Sequence, residues 1–142
     1  MIGLDLLRKT ASLSAIHDSS ERFPAERCEP GTREGISKTI RDWTKDSDLF
    51  SRIFWLYGSP NEETTAVLQS IAESCASSEL KAYLGGSLFF SKEATGYHRG
   101  HHLFITIAYQ LAVNVPVLRD PINRVICVNL GVTGSLSLIA PS

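Results

Sequence analysis

The run Arg-Ile-Phe-Trp-Leu-Tyr at 52–57 constrains the fold more than any other stretch of the chain. It is short, apolar, and biased toward aromatic and β-branched residues. That composition suits a strand covered on both faces, as in a parallel sheet. Gly58-Ser59-Pro60-Asn61 ends the run at once. From Thr64, Val67, Leu68, Ile71, Ala72 and Cys75 recur at helical spacing. Residues 53–73 therefore read as strand, loop and helix.

The remaining chain supplies more pieces of the same kind. Ile2, Leu6, Leu7, Leu13 and Ile16 predict a short helix over 2–16, followed by a polar loop over 17–31. Thr32 stands where it can cap the next helix, and Glu34 falls in its first turn. Ile36, Ile40 and Trp43 mark that helix's buried stripe, which ends near Thr44 to Asp46. A second strand is expected over 82–90, weakened by Gly85-Gly86. Leu103, Phe104, Ile107, Ala108, Leu111 and Ala112 form the strongest helical stripe. Leu118, Ile122, Val125 and Ile126 predict a last helix, with Pro121 in its first turn, where proline is tolerated. The tail 131–142 suits a strand or a frayed end. Strands separated by helices of about 10–15 residues predict βαβ units and an α/β fold with a parallel sheet.

Composition narrows the function. The chain has 142 residues, 43% of them hydrophobic and 20% charged, which argues against disorder and allows one domain or slightly less. Fourteen basic residues against fifteen acidic ones leave a net charge of −1, which excludes a polybasic nucleic-acid binder. Cys28, Cys75 and Cys127 are scattered, with no CxxC pair, and read as reduced thiols in the cytoplasm. The N-terminal stretch is broken by Asp5 and Arg8-Lys9, so it holds no signal-peptide core. No run approaches the roughly 18 apolar residues that cross a bilayer, and no membrane partner is expected.

A phosphate-binding P-loop, GxxxxGK[ST], belongs at a strand–loop–helix junction such as 53–73. There its glycines form an anion nest, its lysine reaches the phosphates and its hydroxyl binds magnesium. Gly58 takes the first glycine position and Thr65 the hydroxyl position. Glu63 replaces the last glycine and Thr64 the lysine. A lost lysine contact is worth about 1.5–3 kcal/mol. Glu63 also resists the positive φ that glycine allows. Glu62 and Glu63 would each repel a phosphate, by roughly 4 kcal/mol at 4 Å and an effective dielectric near 20.

Four blocks resemble one known family. They are CEPGTREGISKTIRDW (28–43), IFWLYGSP (53–60), GGSLFFSKE (85–93) and FITIAYQLAVNVPVLRDPI (104–122). In this order they are similar to the front of the nucleotide-binding domain of fungal STAND-type NTPases, the NACHT or nephrocystin-like N-terminal class. The resemblance implies a P-loop NTPase-like three-layer αβα fold with parallel strands, truncated before the Walker B strand. It implies an N-terminal helix and linker over 1–27 and a partial domain over 28–142. It implies a cytoplasmic nucleotide-dependent switch in a larger signal-transduction protein, one that continues into a repeat array. By resemblance, Gly58, Ser59, Pro60, Asn61, Glu62, Glu63, Thr64 and Thr65 are a vestigial nucleotide site, and Arg33 matches an arginine near the base. ATP or GTP with magnesium is the implied cofactor if binding is retained. With the lysine and the Walker B acid both missing, no cofactor and no catalysis are expected. The alternatives are an interaction module, pairing with full-length relatives or with itself, or a gene-model fragment without a function of its own.

Simpler roles compete at each residue. Thr64 and Thr65 are favoured as helix caps, and Arg33 as a solvated helix-start residue. His98, His101 and His102 suit a polar loop better than a metal site, so no metal ligands are assigned. Trp43 and Trp55 read as core aromatics, and Cys75 as a small buried hydrophobe. No catalytic nucleophile is framed by its neighbours.

Overall fold

The computed structural model describes residues 2–48, 50, 52–58, 63–77, 84–90 and 101–130. Among the described residues there are five α-helices: α1 (Ile2–Thr10), α2 (Glu34–Lys45), α3 (Glu63–Ser77), α4 (His101–Asn114) and α5 (Pro116–Leu130). Short 3₁₀ turns lie at Leu13–Ala15 and Ser20–Arg22. Among the described residues no strand pairs with another. The expected α/β class and the three-layer αβα P-loop arrangement are therefore overturned, and the P-loop NTPase and NACHT assignments fall with that fold.

The chain divides into two compact units, residues 1–16 with 85–142 and residues 17–84. In the first, α1, α4 and α5 pack against one another around Leu7, Ala15, Ile105 and Ala112. Gly3 sets the approach of α1 to α5. A Cβ there would lie 2.8 Å from both the backbone and side-chain oxygens of Asn123. The same side chain accepts from the Gly3 N–H at 2.9 Å, which serves a donor that a helix start leaves without an intrahelical partner.

Pro116 decides where α4 stops. Lacking an N–H, it leaves the Ala112 carbonyl without its i+4 donor. Arg119 supplies the replacement, donating from Nε to Ala112 O at 3.1 Å and from Nη2 to Val113 O at 3.4 Å. Because α5 opens at Pro116, Pro121 lies beyond the first turn where it was expected.

The buried face of α4 differs from the sequence expectation. Phe104 and Ile107 are exposed, whereas Thr106 and Gln110 are buried. The apolar stripe points to the opposite face, because His102, Thr106, Gln110 and Asn114 recur every four residues as a polar stripe. The polar pair is satisfied where it sits. Thr106 Oγ1 donates to His102 O at 2.7 Å and accepts from Ser12 N at 2.9 Å.

Gln110 explains why 84–90 is extended without a sheet. Its Oε1 accepts from Ser87 N at 2.9 Å and its Nε2 donates to Ser87 O at 2.7 Å. Asn114, one turn on, donates to Gly85 O at 3.0 Å, and Phe89 N donates to Ala15 O at 2.8 Å. Side-chain amides and a loop carbonyl thus do what a neighbouring strand would do. The approach is tight. A Cβ on Gly85 would come 3.0 Å from Leu111 Cδ2, and one on Gly86 would come 3.1 Å from Gln110 Cβ.

In the second unit α2 packs on α3 around Ile40, Val67, Ile71 and Cys75, with Cys28, Ile36, Phe54, Leu56 and Leu84 against that cluster. Trp43 meets Phe54 with ring centroids 5.5 Å apart at 56°, a tilted aromatic pair. Burial pushes the Cys75 thiol up from its ordinary value. The thiolate is correspondingly scarce near neutral pH. Ellman's reagent should therefore label Cys75 only when the unit opens, and more slowly than the half-buried Cys28 and Cys127. Labelling of Cys75 at the rate of an exposed thiol would contradict its place in the core.

Glu29-Pro30-Gly31-Thr32 forms the turn into α2, with Thr32 N donating to Glu29 O at 3.0 Å and Gly31 at φ 82°. Proline second and a positive-φ glycine third is the signature of a type II turn. Thr32 does not cap α2 as expected, because its hydroxyl donates to Glu29 O at 2.6 Å. Arg33 takes the N-cap position in a left-handed conformation, φ 55°, and makes no side-chain cap bond.

Candidate functional site

The junction that suggested a phosphate site is partly described. Ser59, Pro60, Asn61 and Glu62 lie outside the described residues. Gly58 ends the extended stretch, and a Cβ on it would stand 3.4 Å from Thr64 Oγ1, so the two sides of the loop come close. Helix α3 begins at Glu63, one residue before Thr64. Thr64 and Thr65 are thus inside its first turn and are not its caps.

Arg33 and Glu63 are brought together. Arg33 Nη2 lies 2.6 Å from Glu63 Oε1, with the two side chains 42% and 53% exposed. The pair is worth about 0–1 kcal/mol at such exposure. Its main effect is on the site. The α3 N-terminus already has a carboxylate beside it, which suits the helix dipole. The nearby guanidinium answers that carboxylate. An open groove of about 450 Å³ here is lined by Glu26, Glu29, Glu63, Arg27 and Arg33. Arg27 in turn pairs with Glu73 at 2.8 Å. Three carboxylates against two engaged guanidiniums make a poor cradle for a polyphosphate. Among the described residues no three His, Cys, Asp or Glu side chains gather to hold a metal ion.

Gln69 was not foreseen. The apolar stripe on α3 predicts Leu68 inside, yet Leu68 is 42% exposed and Gln69 is fully buried. Its amide joins three elements. Nε2 donates to His17 O at 2.8 Å and to Glu73 Oε1 at 2.7 Å, while Oε1 accepts from Arg22 Nη1 at 2.6 Å. Desolvation lowers the Arg22 pKa from its ordinary value, and Glu73 partly opposes that shift. The available sequence signal was the i, i+4 spacing of Gln69 and Glu73. This network ties the 17–22 segment to α3, and its geometry is that of a brace.

The most unusual feature is residues 53–57. No helix or turn interrupts them, and their exposure alternates. Phe54 and Leu56 pack on the α2–α3 cluster. Ile53, Trp55 and Tyr57 are 84%, 79% and 82% exposed. Trp55 is therefore not the core aromatic its composition suggests. Among the described residues, no backbone N–H or C=O from Ile53 to Tyr57 has a hydrogen-bond partner. No protein-family model, curated protein or solved structure matches the chain. Its function has to be read from this geometry alone.

An apolar segment whose backbone is unpartnered among the described residues is a template for pairing. Trp and Tyr side chains each carry roughly 150–250 Å². Two of them about four-fifths exposed approach the few hundred Å² that marks an interaction patch. No described helix is long and apolar enough to cross a membrane.

Proposed function

We propose that this chain is a non-catalytic protein-binding module that takes up an extended peptide segment along residues 53–57. The observation that carries the reading is the backbone from Ile53 to Tyr57, unpartnered among the described residues, beneath an exposed Ile53, Trp55 and Tyr57 face. In strand addition, main-chain hydrogen bonds supply affinity and alternate side chains supply specificity. Both elements are in place here. The strand is also fixed in advance, because Phe54 and Leu56 are anchored on α2 and α3. Less ordering entropy is then lost on binding.

A phage-displayed library of random peptides, selected on the immobilised chain, tests the reading. Enriched peptides should alternate β-branched or aromatic residues with others, and Trp55→Asp should reduce their binding at least tenfold. No enrichment, or enrichment indifferent to Trp55→Asp, would contradict it. Trp55 is 79% exposed, so the variant should keep its helical circular dichroism.

A further inference from the structure

We propose that the natural occupant of this edge is a second copy of the chain, paired antiparallel about a two-fold axis through Trp55. The inference rests on the strand-binding reading above and names its partner.

The sequence of the edge is complementary to itself in one register. With Trp55 opposite Trp55, Ile53 of each copy faces Tyr57 of the other, and Arg52 faces Gly58. Aromatic residues opposite β-branched or aromatic residues are favourable cross-strand pairs, and like charges directly opposite are unfavourable. This register has the former and none of the latter. A parallel in-register pair would instead stack Arg52 on Arg52.

The edge also lacks any feature that would select a charged partner. No charged side chain stands between residues 53 and 58. What it offers is open backbone and an apolar face, and a second copy offers the same. On the edge formed by Ile53, Trp55 and Tyr57, three opposed pairs would each exchange two hydrogen bonds. The outward side chains of both copies would then line one side of the ribbon. A two-stranded ribbon alone is marginal in water. Here each strand is backed by its own helices through Phe54 and Leu56. An isologous contact of this kind closes at two copies on the edge it uses.

A residue on the two-fold axis meets itself, and that fixes the test. Sedimentation equilibrium over a wide concentration range should show the wild-type chain reaching twice its 15.6 kDa mass. Trp55→Lys and Trp55→Glu should each be monomeric, because each places like charges face to face. Mixing the two variants should restore the dimer through a Lys–Glu pair. Amide exchange followed by nuclear magnetic resonance should show the Ile53, Trp55 and Tyr57 N–H groups protected in the dimer, ahead of those of Phe54 and Leu56.

A wild-type chain that stays monomeric overturns the inference. So does a dimer that survives both substitutions, or a mixture of folded variants that fails to pair. If the wild type is monomeric but selected peptides still bind in a Trp55-dependent way, the second copy falls and the protein-binding reading stands. If neither occurs, both fall.

Discussion

Gln69→Leu lowers the unfolding free energy of the chain by about 2–4 kcal/mol, measured by urea denaturation at fixed protein concentration. Leucine fills much of the same space, so the loss comes from bonding and not from a cavity. The His17 carbonyl, the Arg22 guanidinium and the Glu73 carboxylate each lose one bond to the fully buried Gln69 side chain. A neutral bond contributes about 0.5–1.5 kcal/mol net and one to a charged group about 1.5–3 kcal/mol, against which the leucine's apolar gain is set. The neighbouring Leu68→Gln should change stability by less than about 0.5 kcal/mol, because that side chain is already largely in water. Similar losses at 68 and 69 would contradict the orientation of α3.

Gly3→Ala gives the second large effect, and its sign is the informative part. Alanine in an exposed helix interior is better than glycine by about 1 kcal/mol. At Gly3 the new Cβ would meet two oxygens of Asn123 at 2.8 Å and Ile126 Cβ at 3.2 Å. One of those oxygens is backbone, so α1 must shift away from α5 and weaken the Gly3 N–Asn123 bond. Overpacking of this kind costs about 1–3 kcal/mol, which outweighs the helix gain. A net loss of roughly 1–2 kcal/mol is expected by thermal or urea unfolding. A net stabilisation would show that α1 does not pack on α5 through Gly3.

The helices were legible in the sequence and the pairing of the extended segments was not. Ile36, Ile40 and Trp43 placed α2 near its observed end at Lys45. The stripe from Val67 to Cys75 located α3, and the stripe from Leu103 to Ala112 located α4. Faces were harder to assign. On α4 the polar stripe reads as the outer face, and burial of Thr106 and Gln110 rests on partners far along the chain, Ser12 and Ser87. On α3 the inward turn of Gln69 depends on Arg22 and His17, from a segment that reads only as loop.

The strand expectation failed for a similar reason. Residues 52–57 carry strand chemistry, but they form no strand among the described residues. A strand in a sheet needs a neighbour, and composition says nothing about whether one is present. For 84–90 the neighbour is the amide pair Gln110 and Asn114 together with the Ala15 carbonyl. For 53–57 no neighbour exists among the described residues, and the alternation of sides is hidden because inner and outer residues are all apolar. At the junction, Arg33 and Glu63 do meet, but as an ion pair.

Residue-resolved amide hydrogen exchange in dilute solution tests the central claim most directly. The open edge predicts that the N–H groups of Trp55 and its neighbours from Ile53 to Tyr57 exchange almost as fast as in an unstructured peptide. Those of Ser87 and Phe89, held by Gln110 and Ala15, should be slowed. Adding a selected peptide, or raising the concentration until the chain pairs, should then protect the 53–57 edge. Protection of 53–57 in the dilute monomer, equal to that of α3, would mean that the edge is already filled within the chain and would contradict the binding role.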